Sequence, residues 1–144
     1  MQEKLKRLLD DAKARGVPVR AVGGTDDLTI KKMEQDLRVN FPESYKWFLC
    51  TYGECTVAGA EIYGSYEGID NTRQYREFGS PDYYVVIENL DEYQICLDTS
   101  DMKKGECPIV DWDMENGTGT IQYNNLFEYL YERFKDSIHS WENN

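Results

Sequence analysis

The stretch Ile30-Lys-Lys-Met-Glu34-Gln-Asp-Leu37-Arg-Val-Asn40-Phe41-Pro42-Glu43-Ser-Tyr45-Lys-Trp47-Phe48-Leu49-Cys-Thr-Tyr52-Gly53 reads as two helices joined by a tight turn. Ile30, Met33 and Leu37 share one helical face, and the hydroxyl of Thr29 is placed to cap the start. Asn40 sits at the turn. Phe41-Pro42 follows, and proline is tolerated at the first position of a helix because its missing N–H is not needed there. Tyr45, Phe48, Leu49 and Tyr52 then fall at i, i+3, i+4 and i+7, and Gly53 ends the helix. Trp47 points off that stripe, toward either a neighbour or solvent.

Upstream, Glu3 to Arg15 is a further helix, with Leu5, Leu8, Leu9 and Ala12 on one side and Gly16 and Pro18 as stop signals. Val17–Val22 is either a short strand or an extended linker. After Gly53 the chain turns to short runs of Tyr, Val, Ile, Gly and Asp, which is strand-and-turn composition. The expected strands are Cys55–Val57, Glu61–Tyr63, Tyr83–Asn89, Tyr93–Asp98 and Pro108–Asp113. Asn116-Gly117 predicts a two-residue hairpin into Thr118–Tyr123. Asp70–Phe78 is open between a short helix and an irregular loop. From Asn125, an N-cap, Leu126, Tyr129, Leu130, Phe134 and Ile138 give a closing helix. Helices first, strands in the middle and a helix last predict a single α+β domain over 1–144 with N-terminal helices, a central, mostly antiparallel sheet and a C-terminal helix.

A chain of 144 residues with 40% apolar side chains has enough material for a core without a metal or a disulfide. Its charge is lopsided. There are 27 acidic against 16 basic residues, a net of -11. Residues 1–40 carry a net of +2 and residues 41–144 a net of -13. Asp82–Glu115 alone holds ten acids opposed only by Lys103 and Lys104. Such a surface repels phosphate backbones and anionic lipid and attracts a basic partner, so direct nucleic-acid or membrane binding is not expected. Cys50, Cys55, Cys96 and Cys107 form no Cys-x-x-Cys pair, and no apolar run has the length of a membrane span or the pattern of a signal peptide. The expectation is a cytoplasmic chain with free thiols and no cofactor or metal.

Catalytic readings find little footing. His139 is the single histidine and lies near the end of a helix, so it reads as a surface residue. No Gly-x-Ser-x-Gly and no Gly-x-x-x-x-Gly-Lys-[Ser/Thr] motif occurs. Asp111 and Asp113 alternate on a strand and share a face, as a glycosidase pair could; with Glu115 they could also hold Ca²⁺, but the EF-hand spacing is absent. An acidic strand that binds a partner, or simply stays solvated, is the better reading. The expected partner surface is therefore Glu88, Asp91, Glu92, Asp111, Asp113 and Glu115, with Tyr93 and Trp112 as aromatic anchors.

The Ile30–Gly53 stretch also resembles the opening signature of the SUKH (Smi/Knr-type) superfamily, with Ile30, Glu34, Phe41, Pro42, Tyr45, Phe48, Leu49 and Gly53 at the matching positions. Gln94-Ile-Cys-Leu97-Asp98, Cys107-Pro108-Ile-Val-Asp-Trp112-Asp113 and Leu126-Phe-Glu-Tyr-Leu130 resemble later family elements in the expected order, over about residues 25–135. Within the superfamily the chain is most similar to the YobK type. It departs from the pattern at Tyr52-Gly53-Glu54, where Asn-Gly-Gly is usual, and at Leu90-Asp91-Glu92-Tyr93, where a Gly-rich turn is usual. The resemblance implies an α+β fold and an immunity protein, not an enzyme, that neutralises a partner toxin, commonly a nuclease, by occluding its active site. The alternative it implies is a regulatory protein-interaction scaffold. Exposed sheet edges or Trp47 leave a homodimer open.

Overall fold

The computed structural model describes the backbone of residues 1–144 and every side chain except that of Ile121. It opens with α1 (Gln2–Ala14), which buries Leu5, Leu9 and Ala12. Gly16, at a φ of 88°, releases the chain into the short strand β1 (Val19–Ala21).

Helix α2 (Asp27–Leu37) is capped by Asp26 and not by Thr29. The Asp26 carboxylate accepts the Thr29 N–H at 2.8 Å, so Thr29 lies inside the first turn as the residue being capped. Arg38, in the left-handed conformation at a φ of 58°, ends the helix. The carboxylate of Glu34 then accepts the Phe41 N–H at 2.7 Å. This bond pins the turn into α3 (Glu43–Thr51). Pro42 precedes that helix instead of forming its first residue, and it offers no side-chain cap. Glu106 supplies one from far along the chain, accepting the Ser44 N–H at 3.0 Å and the Ser44 hydroxyl at 2.5 Å. Trp47 packs between Tyr52 and Phe127, with ring centroids 5.8 and 5.4 Å away.

Two short strands follow, β2 (Cys55–Val57) and β3 (Ala60–Ile62), the second one residue earlier than the sequence suggests. The open segment Asp70–Phe78 belongs almost wholly to a helix, α4 (Ser65–Glu77). Then come β4 (Tyr84–Asn89), β5 (Gln94–Asp98), β6 (Ile109–Asp113) and β7 (Gly117–Tyr123), and last α5 (Leu126–Glu142), where Asn125 caps the Glu128 N–H at 3.0 Å.

All strand pairing among the described residues is antiparallel, but the expected central sheet is divided. One sheet has the order β1-β2-β3 and the other β4-β5-β6-β7. A bulge explains how they meet. The β4–β5 register skips Ile87, whose carbonyl accepts the Tyr63 N–H just past β3 at 2.8 Å. The larger sheet presents Val85, Ile87, Ile95, Leu97 and Ile109 to the main core, together with the buried faces of α1, α2, α3 and α5. Its other face carries Tyr84, Val86, Cys96, Val110 and Trp112, against which Tyr75 of α4 packs. The β6–β7 connection is a three-residue turn, Met114–Asn116, not the expected two-residue hairpin. The Asp113 carboxylate accepts the N–H groups of Glu115 and Asn116 at 2.9 and 2.7 Å, which holds the wider turn, and Gly117 leaves it at a φ of 76°. Among the described residues no helix is long and apolar enough to cross a membrane.

Candidate partner-binding groove

Gln94 pairs with Trp112 and Ile95 with Asp111, so the β4–β5 and β6–β7 turns lie side by side at one end of the larger sheet. Between them and the C-terminal part of α4 is an open groove of about 640 Å³. Asp91, Glu92, Asp111, Asp113 and Glu115 line it, and no lysine or arginine does. Tyr75 of α4 and Phe78, just past its end, form one wall; Tyr93 and Met114, 39% and 62% exposed, stand at the rim. The groove thus combines negative charge with accessible apolar surface.

Backbone bonds from Leu90 N–H to the Tyr93 carbonyl at 3.0 Å and from Glu92 N–H to the Leu90 carbonyl at 2.8 Å close the first turn, and side chains hold both turns further. Asn89 Oδ1 accepts the Asp91 N–H at 2.9 Å and a Gln94 amide hydrogen at 3.2 Å, while Asn89 Nδ2 donates to the Tyr75 hydroxyl at 2.9 Å. Asp91 itself has a φ of 67°, a conformation that Asp tolerates better than most residues. On the opposite lip, Asp113 holds the 114–116 turn as described above. The carboxylate of Asp111 accepts from the Gln122 amide at 3.1 Å and lies directly over Gly119, where a Cβ would collide with both of its oxygens.

Six of the eight expected partner residues therefore converge, and two do not. Glu88 is only 2% exposed. The bulge at Ile87 turns it to the side of Ile95, under α5, although strict alternation would place it with Tyr84 and Val86. There its Oε2 lies 3.0 Å from Nε and 2.9 Å from Nη2 of Arg133, and its Oε1 accepts the Tyr129 hydroxyl proton. Burial pushes the Tyr129 phenol up, and the charge of Glu88 pushes it further. Burial works against the Arg133 cation, but Glu88 outweighs it and raises the guanidinium. Trp112 is 4% exposed and is packing, not an anchor: its ring meets Tyr75 edge-on at 6.1 Å. Asp98 and Glu106 of the acidic stretch are also engaged elsewhere, on the Ser100 turn and on α3. The groove in turn draws on Tyr75, Phe78, Gln94, Met114 and Asn116, which sequence reasoning left out. The i, i+3 spacing of Tyr75 and Phe78 was the available signal, once that segment is taken as helix.

Among the described residues no three His, Cys, Asp or Glu side chains are grouped as metal ligands. All four cysteines are free, with Cys50 exposed and the other three buried. Residues 1–135 match the family model SUKH_5, described as SMI1-KNR4 cell-wall, and the match takes in α1 as well as the Ile30–Gly53 signature. With nearly the whole chain covered, and α2, the Glu34-pinned turn and α3 formed where the signature lies, this protein belongs to the SUKH_5 family of SMI1-KNR4 domains.

Proposed function

We propose that this chain is an immunity protein: it binds a basic toxin domain, a nuclease being the best-fitting class, one to one, and blocks that domain's active site. The observation that carries the reading is the groove at the end of the larger sheet, where five carboxylates gather with no cation among the lining residues. A nuclease site must hold phosphates and is therefore rich in Lys and Arg. A surface with the opposite charge and an aromatic rim can compete for that site and speeds the encounter through electrostatic steering. Membership of a SUKH family supports the same role.

The test is direct. The purified chain is titrated by calorimetry with the toxin domain encoded beside its gene, and residual nuclease activity is followed. One-to-one binding with loss of activity is expected. A toxin domain that neither binds nor is inhibited overturns the proposal.

A further inference from the structure

The two outer edges of the larger sheet are treated differently. At β4 the edge is occupied: Val86 N–H donates to Thr72 Oγ1 of α4 at 2.9 Å, and the Ile87 carbonyl accepts from Tyr63. At β7 it is not. Among the described residues no backbone hydrogen bond reaches β7 from outside its pairing with β6. Thr118, Gly119, Thr120 and Gln122 are exposed. Proteins normally blunt such an edge with charge, proline or brevity. Charge on the strand itself, proline and brevity are all absent here, since Asn116–Phe127 is the longest uncharged run in the chain and contains no proline, and β7 spans Gly117–Tyr123; its register with β6 shifts twice, once where Gly119 and Thr120 together face Asp111. Strand β1, the outer strand of the other sheet, is only three residues long.

We propose that β7 is a docking edge on which an extended segment of the basic partner adds as a fifth strand, with a Lys or Arg of that segment paired to Asp111. The geometry of the edge argues for the second half of the statement. Because Gly119 has no side chain, the Asp111 carboxylate reaches from β6 out over β7. A residue on an added strand opposite Gly119 would stand about 5 Å away, within easy reach of that carboxylate for a long cationic side chain. At present Asp111 is served by the neutral Gln122 amide, which also donates to the Thr120 carbonyl at 3.0 Å. A cation makes a charge-assisted bond to the same oxygens, about twice as strong as the neutral one it displaces. The charge also selects the occupant: a second copy of this chain would bring two Asp111 carboxylates together at a shared edge in a protein of net charge -11. Asp111 lines the groove as well, so the edge and the groove form one continuous surface.

This inference rests on the immunity reading and refines it. It is tested by residue-resolved amide hydrogen exchange on the full chain, alone and with the toxin domain encoded beside its gene as the probe. Strand addition protects the outward-facing amides among Thr118–Gln122, those not bonded to β6, which slow about tenfold or more in the complex. Asp111→Asn weakens the complex about fivefold and leaves the protected amides the same. A complex that forms with β7 exchanging as in the free chain overturns the edge and leaves the immunity role intact. Protection already present in the free chain and lost on dilution assigns the edge to a second copy, and also overturns it. Absence of any complex overturns both.

Discussion

Glu88 of β4 and Arg133 of α5 are joined across the sheet–helix interface, with Nη2 2.9 Å from Oε2 and the Glu88 carboxylate only 2% exposed. A carboxylate at that depth depends on its partners, and among the described residues Arg133 is its one ion pair and the Tyr129 hydroxyl its other side-chain donor.

Removing one member of this pair should therefore cost more than removing both. Arg133→Met leaves the buried Glu88 charge unpaired and should lower stability by about 3 kcal/mol in urea unfolding. The double variant Glu88→Leu, Arg133→Met should recover most of that loss and retain a deficit of about 1 kcal/mol, from the Tyr129 hydroxyl left without its acceptor. Equal losses in the single and double variants would show that the pair is no more than packing.

The carboxylates of Glu92 and Glu115 make no hydrogen bond or ion pair among the described residues, so they are clean probes of the groove. Reversing both to Lys should slow association with the toxin domain about tenfold at low salt and much less at high salt, with dissociation and melting temperature little changed. Stopped-flow association rates over a salt series decide this. A rate that does not respond to the reversals removes the groove from the encounter.

Thiol labelling separates Cys50 from the rest. The native chain should expose one reactive thiol to Ellman's reagent and four after unfolding, since Cys55, Cys96 and Cys107 are buried. Burial raises the Cys50 thiol and the nearby Asp27 carboxylate, 3.8 Å from Sγ, raises it further. The thiolate is the reactive form, so labelling should be slow at neutral pH and accelerate as pH rises through the elevated value. Asp27→Asn should speed it at neutral pH. A rate unaffected by that substitution would mean that Asp27 does not set the thiol's reactivity.

Acid should loosen α2 through its cap. The side-chain and backbone hydrogen bonding at Thr29 holds the Asp26 carboxyl below its ordinary value. A depressed folded-state value means that the stabilisation is present above the unfolded-state value and disappears as pH falls through the folded one. Asp26→Asn keeps an acceptor for Thr29 and should remove this pH dependence, whereas Asp26→Ala should lower the melting temperature at neutral pH as well. Melting curves between neutral and strongly acid pH are the readout.

Four of the five helices were legible because their signals are local; α4 was left open between helix and loop. Tyr45, Phe48 and Leu49 repeat at helical spacing, and all three are buried. The strands after Gly53 were legible from composition to within a residue at either end, whereas β1 was left open between strand and linker. What escaped has its cause elsewhere in the chain or in a local irregularity. The cap of α3 is Glu106, 62 residues from Ser44, and no reading of residues near Pro42 could supply it. The fate of Glu88 turns on one extra residue in β4, and a bulge leaves no mark on an alternation that is apolar on both sides, as Val85, Val86 and Ile87 are. The acidic stretch does not act as a unit: Glu88, Asp98 and Glu106 serve the fold, and the surface keeps the acids on the two turns and on β6.

Those two turns have a consequence for how this family member can change. Their backbones are held by the backbone bonds within the first turn and by the side chains of Asn89 and Asp113, not by the side chains that face outward. Glu92, Met114 and Glu115 can therefore be exchanged with little penalty to folding, while the framework that aims them stays constant. The lettering on this surface can thus be rewritten without recasting the type that carries it.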